Sequence, residues 1–191
     1  MKKLIGRKKT NTAVFISGAG TNFKNLLIFE KKTISPIKIK LVISDNAKAK
    51  GLLFAKKYKI KKKILDLRKK YDFKLLLNIL RINNIKLICL AGFMRILPGY
   101  FIKNFEGTIL NIHPSLLPKY KGLNVHSRVL RNKEKYSGCT VHHVNRNVDE
   151  GKIVLQRKIK ILKNDNPVKL KKKIQKQEYK LYPEAILKIF N

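Results

Sequence analysis

Apolar runs alternate with amphipathic stretches along the first half of the chain. The apolar run at residues 13–17 is followed by a glycine-rich turn and by a helical pattern that begins at Thr21. Residues 87–91 form another continuous apolar run, which is typical of a strand buried on both faces of a parallel sheet. Strands and helices that alternate in this way predict an α/β fold with a mostly parallel sheet.

The second half of the chain adds strands that lie close together in sequence. Such strands allow antiparallel pairs, so we expect a mixed, Rossmann-like sheet flanked by helices. Asn166 and Pro167 provide a cap and a first-turn proline, and they predict the start of a long C-terminal helix. Strands are predicted at residues 13–17, 37–44, 63–65, 87–91, 108–113, 138–144 and 153–161, and helices from 21, at 51–59, 72–83 and 125–131, and from 167.

The length of 191 residues and the mass of 22.2 kDa fit one globular domain. Hydrophobic residues make up 44% of the chain, which is too many for a disordered protein. We assign residues 1–12 to a basic N-terminal extension and residues 13–191 to a single domain. No apolar stretch approaches the roughly 20 residues of a membrane helix, and the N-terminus has no apolar signal core, so neither a membrane span nor secretion is predicted.

Cys89 and Cys139 are the two cysteines of the chain, and neither belongs to a CxxC motif. Both lie in apolar predicted strands, which favours reduced thiols in the cytoplasm over a disulfide. His142 and His143 are adjacent on a predicted strand and therefore face opposite sides of it. No metal site is predicted from this inventory.

Basic residues dominate the charge of the chain. Lysine and arginine total 45 against 11 acidic residues, a formal net charge of +34, which suggests an anionic partner such as nucleic acid. Lysine outnumbers arginine 37 to 8, however, whereas bidentate phosphate and base recognition favours arginine. The excess is also spread along the whole chain, so mutational bias toward A/T-rich codons is the favoured explanation. No specific nucleic-acid partner and no membrane partner are predicted.

A glycine-rich turn, Ser17-Gly-Ala-Gly-Thr-Asn22, lies between the first predicted strand and the first predicted helix. Free backbone N–H groups and the helix dipole at such a junction favour an anion, and phosphate is the candidate ligand. The spacing matches neither the dinucleotide fingerprint nor the P-loop, so a full dinucleotide is not supported. The residues alone leave two interpretations open, a phosphate site or a tight turn capped by Thr21.

Asn111 and His113 end a predicted strand just before Pro114, and residues two apart on a strand face the same side. An amide N–H can stabilise a developing oxyanion, and an imidazole can move a proton near neutral pH. Asp149, in a turn after the strand at 138–144, can orient such a histidine. The alternative interpretations are that His113 has only a structural role and that Asp149 only bonds the backbone of its turn. Because Ser115 shows no sign of activation, direct attack by the substrate's own nucleophile is favoured over a covalent enzyme intermediate.

Five segments that carry these residues occur in a characteristic order. Together they resemble the phosphoribosylglycinamide formyltransferases, the folate-dependent enzymes of purine biosynthesis, over about residues 13–190. The pairing of NIHPSLLP with AGFMRIL is the specific part of this resemblance, whereas SGAGTN alone would be weak. The segments are GFMRIL at 92–97, NIHPSLLP at 111–118, KGLNVH at 121–126, GCTVHHV at 138–144 and DEG at 149–151.

The resemblance implies the formyltransferase fold and N-formylation of the glycinamide amine of N1-(5-phospho-D-ribosyl)glycinamide, with 10-formyltetrahydrofolate as the donor and no metal. It implies that Asn111 and His113 stabilise the oxyanion, that His113 also transfers a proton, and that Asp149 orients His113 and a relay water. The N-terminal half would bind phosphate and the C-terminal half would bind folate. The resemblance also suggests a cis peptide bond between Leu117 and Pro118.

Two groups of binding residues follow from the resemblance. The last helix would close on the glycinamide side, with Glu178 meeting polar atoms of the substrate, and apolar side chains would sandwich the pteridine. The acceptor site is implied at Gly20, Thr21, Asn22, Gln175, Lys176, Gln177 and Glu178. The folate site is implied at Arg68, Met94, Arg95, Ile96, Leu97, Asn111, Asn145, Arg146, Asn147, Val148 and Asp149.

The chain departs from the usual family pattern at a few positions. His143 stands where an aromatic residue is usual, and Arg146 stands where an acidic residue is usual in the folate-side loop. Altered folate affinity is expected from Arg146. We expect the protein to act on small-molecule substrates as a monomer or a weak homodimer in the cytoplasm.

Three other functions share some of these features. A methionyl-tRNA formyltransferase would agree with the charge but is expected to carry a further C-terminal domain. A formyltetrahydrofolate deformylase is expected to carry an N-terminal regulatory domain. A basic RNA-binding module would need clustered charge and exposed aromatic residues of the RNP type.

Overall fold

A computed structural model describes residues 9–67 and 70–190. Over these residues the chain alternates strands and helices as the apolar pattern predicts. The strands are β1 (Thr10–Ile16), β2 (Ile37–Ser44), β3 (Lys61–Ile64), β4 (Leu87–Leu90), β5 (Thr108–His113), β6 (Tyr136–His143) and β7 (Ile153–Lys160). The helices are α1 (Thr21–Glu30), α2 (Leu52–Lys57), α3 (Lys70–Ile82), α4 (Gly99–Asn104), α5 (Val125–Arg131) and α6 (Pro167–Phe190).

The strands form one mostly parallel sheet in the order β3-β2-β1-β4-β5-β6-β7. Strand β1 pairs in parallel with β2 and β4, and β2 pairs in parallel with β3. Strands β6 and β7 pair antiparallel, as expected from their closeness in sequence. The predicted α/β class with a mixed sheet is therefore confirmed.

One boundary of the predicted elements needs correction, and one helix was not predicted. Strand β1 begins at Thr10, where it pairs with Ile37 of β2, so residues 10–12 belong to the sheet and not to the basic extension. Helix α4 was not predicted, because its six residues are too few to show a helical period. The remaining strands and helices match their predictions to within a few residues at each end.

The chain divides into two compact units, residues 1–110 and residues 111–191. In the first unit, residues 13–16 of β1 are completely buried, as are Phe23 and Leu26 of α1. In the second unit, one face of α6 packs on β6 and β7. The side chain of Asn166 accepts a hydrogen bond from the N–H of Lys169 at 2.8 Å, so the predicted cap at the start of α6 is present.

Both cysteines are buried and neither forms a disulfide. Burial raises the pKa of Cys139 to about 12, and the nearby Glu178 carboxylate acts in the same direction, so its thiol stays protonated. None of the described lysine and arginine residues is buried. Within the described ranges, no helix combines the length and the apolar character needed to cross a membrane.

Candidate active site

The glycine-rich turn follows the carboxyl end of β1 and leads into α1. The order of the strands reverses between β1 and β4, since β2 and β3 lie on one side of β1 and β4 lies on the other. Ligands of open α/β sheets bind at such a switch point, outside the carboxyl ends of the strands. The turn that carries Gly20, Thr21 and Asn22 therefore has the location expected of a ligand site.

Gly20 is the N-cap of α1 and has a left-handed backbone, with φ of 67°. Its Cα lies against Gly51, so a Cβ added to Gly20 would come within 2.5 Å of the Gly51 Cα. A side chain is excluded here both by the backbone conformation and by this contact. The first N–H groups of α1 therefore follow a residue without a side chain. The first turn of α1 also contains no acidic residue that would repel an anion.

The segment of residues 94–97 follows β4 and is part of the implied folate site. Met94 is 62% exposed and Ile96 is 69% exposed, whereas Leu97 is 4% exposed and belongs to the core. Two apolar side chains two residues apart are thus presented to solvent. Arg95 is held by an ion pair with Asp45. Arg68, also predicted for the folate site, lies outside the described residues.

Asn111, His113 and Asp149 converge in the second unit. Asn111 Nδ2 lies 3.3 Å from Asp149 Oδ1, and His113 Nδ1 lies 3.2 Å from Asp149 Oδ2. Asn111 and His113 share a face at the end of β5, and Asp149 arrives from the loop between β6 and β7. The side chains of His113 and Asp149 are 7% and 8% exposed, so this cluster of polar groups is largely shielded from water.

His142 is a fourth member of this cluster that was not predicted. Its Nε2 lies 3.2 Å from Asn111 Nδ2 and 3.5 Å from Asp149 Oδ1, and the residue is 2% exposed. Nδ1 lies 2.8 Å from the carbonyl oxygen of His143, so Nδ1 carries a hydrogen and donates it. With that hydrogen on Nδ1, Nε2 of the neutral ring accepts a hydrogen bond from Asn111 Nδ2.

Both ring nitrogens of His113 face acceptor atoms. Nε2 lies 2.9 Å from the carbonyl oxygen of Tyr120, which can only accept, and Nδ1 faces the Asp149 carboxylate. Hydrogens on both nitrogens satisfy both contacts. Burial lowers the pKa of His113 below its ordinary value, and the Tyr120 carbonyl and the Asp149 charge oppose this effect. Burial therefore favours the neutral ring, whereas the two acceptor atoms favour a proton on each nitrogen.

Asp149 is held as a carboxylate. Burial alone would raise its pKa, but the contact with His142, the hydrogen bond from the Gly122 N–H at 2.9 Å and the charge of His113 hold the pKa below its ordinary value. Asp149 also has a left-handed backbone with φ of 54°, a conformation that aspartate tolerates better than most residues. An ionised carboxylate in contact with two imidazoles can orient their rings and stabilise a proton on either of them.

The loop before Asp149 is exposed at residues 145–148, and Val148 presents 46% of its surface. Asn145 Oδ1 accepts a hydrogen bond from the N–H of Asn147 at 3.0 Å, and Asn147 Nδ2 donates to Glu150 Oε2 at 2.9 Å. Arg146 is exposed. The four residues predicted for the folate site thus form one structured, accessible loop.

The predicted acceptor residues on α6 divide between two faces of the helix. Glu178 is 8% exposed and lies on the buried face with Ile174 and Leu181, near Cys139 of β6. Gln175 and Gln177 are half-buried, whereas Lys176 is exposed and faces away from Glu178. The structure therefore does not place Lys176 on the same face as Glu178.

The turn after β5 is fixed by main-chain and side-chain hydrogen bonds. Ser115 Oγ donates to the carbonyl oxygen of Lys119 at 2.6 Å, a structural bond that leaves this hydroxyl unactivated. The peptide bond between Leu117 and Pro118 is cis, which confirms that prediction. Within residues 9–67 and 70–190, no group of three or more His, Cys, Asp and Glu side chains is placed to hold a metal ion.

His126 of α5 makes the second unit sensitive to acid. Burial, with the nearby Lys171 and His113, lowers its pKa from 6.5 to about 4. As the pH falls, the unfolded chain takes up a proton at His126 before the folded protein does. The contribution of His126 to the free energy of unfolding is therefore complete above pH 6.5 and is lost as the pH falls through about 4. We expect the His126→Gln variant to lose less stability over this interval, measured by urea unfolding. Equal losses in both proteins would contradict this expectation.

Comparison with known proteins identifies the family. The model of the family described as Formyl transferase matches residues 10–186. The chain belongs to the formyl transferase family. It is 42% identical over 179 residues to the phosphoribosylglycinamide formyltransferase of Haemophilus influenzae, covering 91% of this chain and 84% of the relative. It is 40% identical over 187 residues to the trifunctional purine biosynthetic protein adenosine-3 of Gallus gallus.

Solved structures of formyl transferases share the fold. The crystal structure of phosphoribosylglycinamide formyltransferase from Brucella melitensis matches with a TM-score of 0.90 at 39% identity, covering 95% of this chain and 96% of that one. The match confirms the predicted formyltransferase fold. The trifunctional relatives are much longer proteins, and this chain spans 18% of the length of the Gallus gallus protein while that alignment covers 95% of this chain.

Proposed function

We propose that this protein transfers the formyl group of 10-formyltetrahydrofolate to the glycinamide amine of N1-(5-phospho-D-ribosyl)glycinamide, a step of de novo purine biosynthesis in the cytoplasm. The observation that carries the proposal is the contact of Asn111, His113 and Asp149 within 3.3 Å in a chain of the formyl transferase family. The 42% identity to a phosphoribosylglycinamide formyltransferase supports the choice of acceptor.

Bound 10-formyltetrahydrofolate supplies a formyl carbon that an amine can attack. Asn111 Nδ2 donates its hydrogens to His142 and Asp149, and one of these bonds would turn to the formyl oxygen as negative charge develops there. His113, whose Nδ1 contacts the Asp149 carboxylate, would stabilise that oxygen with an N–H group and take part in the proton transfer. The proton that the amine loses passes to the folate nitrogen as the bond from that nitrogen to the formyl carbon breaks and tetrahydrofolate leaves. Asp149, which stays ionised, would orient His113 and a relay water for this transfer.

The two substrates would contact different sets of residues. The turn at Gly20, Thr21 and Asn22 would hold the acceptor phosphate through main-chain N–H groups, and Gln175 to Glu178 would approach the glycinamide side. The exposed apolar residues at Met94, Ile96 and Val148 would hold the folate rings. No covalent intermediate on the enzyme is required, because the acceptor brings its own nucleophile.

An assay with competing acceptors tests this proposal. The purified protein is incubated with 10-formyltetrahydrofolate and with glycinamide ribonucleotide, initiator methionyl-tRNA or no acceptor, and each formylated product and formate are quantified. We expect formylation of glycinamide ribonucleotide and neither formylation of the tRNA nor rapid release of formate. Preferential formylation of the tRNA, or hydrolysis of the donor without an acceptor, would replace the proposal with one of the related activities.

A further inference from the structure

The loops after β1, β2 and β4 lie at one edge of the sheet in the first unit, because these strands are parallel neighbours. The first loop carries the turn proposed for phosphate, and the third carries the segment at residues 94–97 proposed for folate. The second loop, at residues 45–51, has no role in binding either substrate as proposed so far. Its contacts with the other two loops indicate one.

Ser17 joins the first loop to the third. Its Oγ accepts a hydrogen bond from the Met94 N–H at 2.8 Å, and its own N–H donates to the Gly92 carbonyl at 3.1 Å. The carbonyl oxygen of Ser17 accepts a third hydrogen bond, from Asn46 Nδ2 of the second loop, at 3.1 Å. Ser17 thus connects the turn proposed for phosphate to the main chain of the segment at residues 94–97.

Asp45 joins the second loop to the third. Its Oδ2 lies 2.8 Å from Arg95 Nε, and its side chain is 6% exposed whereas that of Arg95 is 44% exposed. Its other oxygen, Oδ1, is buried and has no hydrogen-bond partner among residues 9–67 and 70–190. A buried carboxylate with one cationic partner holds that partner firmly, because separating the pair would leave the charge uncompensated.

The turn that carries Asp45 is itself rigid. Ser44 Oγ donates to the Asn46 carbonyl at 2.9 Å and accepts from the Asn46 N–H at 3.2 Å. Asn46 Oδ1 accepts from the Lys48 N–H at 2.9 Å, and the Gly51 N–H donates to the Gly18 carbonyl at 2.9 Å. Asp45 therefore presents its carboxylate from a fixed position, which is what a residue that orients another must do.

We propose that Ser17 and Asp45 are positioning residues that hold the Met94 main chain and the Arg95 side chain in the arrangement that binds the folate donor. This inference rests on the proposed function, since it assigns the segment at residues 94–97 to the donor. Neither residue touches the reacting atoms. Each acts by fixing a donor-site residue, so its loss weakens donor binding in the ground state and the transition state alike.

The test compares the Michaelis constants of the two substrates in Ser17→Ala and Asp45→Asn. We expect the KM for the folate donor to rise about tenfold in each, as for the loss of one charge-assisted or main-chain hydrogen bond. The kcat and the KM for glycinamide ribonucleotide should stay within about twofold, the pattern of lost uniform binding. Ser17→Thr keeps the hydroxyl and should restore the donor KM.

The control is Glu106→Gln, which removes an exposed ion pair with Lys86 in the same unit and should change neither KM. An unchanged donor KM in both test variants, or an equal rise in both substrates' KM, would overturn the inference. Calorimetric titration of 10-formyltetrahydrofolate without an acceptor repeats the comparison without turnover. Wild-type protein that binds this donor but does not formylate glycinamide ribonucleotide would refute the proposed function and leave the binding comparison intact.

Discussion

Replacing Asn111 or His113 with alanine should lower kcat about 10²–10³-fold with little change in either KM, the usual cost of removing one oxyanion donor. In the proposed mechanism both groups act on charge that develops only during attack on the formyl carbon. Steady-state kinetics with 10-formyltetrahydrofolate and glycinamide ribonucleotide measures the effect. Asp149→Asn preserves the shape of the cluster but removes its negative charge and so weakens proton transfer, and kcat should again fall more than binding.

The matched control for Asn111→Ala is Asn104→Ala on α4. Asn104 donates its side-chain N–H to the Tyr100 carbonyl on the same helix and has no place in the cluster, so its loss should leave kcat unchanged. A near wild-type kcat in His113→Ala would contradict the assignment of His113 as a catalytic residue. Circular dichroism and urea unfolding of each variant separate a catalytic effect from a failure to fold.

Replacing Gly20 with alanine should destabilise the protein by about 2–4 kcal/mol, the combined cost of a left-handed alanine and of an overpacked contact. The new Cβ would meet the Gly51 Cα at 2.5 Å, and the turn would have to move away from it. Because the first N–H groups of α1 follow this turn, the KM for glycinamide ribonucleotide should also rise. Urea unfolding and steady-state kinetics measure the two effects.

Gly18→Ala is the control for this substitution, because a Cβ on Gly18 would meet no atom within 4 Å and its φ is not positive. It lies in the same turn, so it tests whether any change of composition there is damaging. We expect stability close to that of the wild type. A Gly20→Ala protein as stable as Gly18→Ala would show that the contact with Gly51 is not restrictive.

Local patterns in the sequence are sufficient to predict most of the sheet. The alternation that ends at Pro114 places Asn111 and His113 on one face of β5, and this follows from strand geometry alone. Helix α4 escapes prediction because a six-residue helix that follows Pro98 has no periodic signal. The contact of Asp149 with both residues depends on packing between β5 and the β6–β7 loop, which no local pattern encodes.

His142 shows a limit of reasoning from strand alternation. Adjacent residues face opposite sides of a strand, which argues against a site that uses both His142 and His143, but the same alternation leaves one of them free to face the site. His142 is the one whose ring lies 3.2 Å from the Asn111 amide, and His143 contributes its carbonyl oxygen to the bond that fixes the ring. The pattern indicates that one of the two residues is available, though not which one.

The segment at residues 94–97 shows a second limit of prediction from the sequence. Met94, Ile96 and Leu97 are equally apolar in the sequence, yet Met94 and Ile96 are exposed and Leu97 is buried. The difference is set by where the chain turns after β4, which depends on Ser17 and Asp45 from distant parts of the sequence. Long-range hydrogen bonds of this kind have no signature in composition or periodicity.

The most direct test of the proposed reaction is a single turnover with an isotopically labelled formyl group. Stoichiometric enzyme, labelled 10-formyltetrahydrofolate and glycinamide ribonucleotide are mixed, and mass spectrometry follows the label on the ribonucleotide, on the protein and in formate. Direct transfer predicts that the label appears on the glycinamide nitrogen, that none is found on the protein at any time, and that His113→Ala slows its appearance about 10²–10³-fold. Label that is first bound to the protein, or that is lost to formate while the ribonucleotide remains unlabelled, would contradict direct transfer.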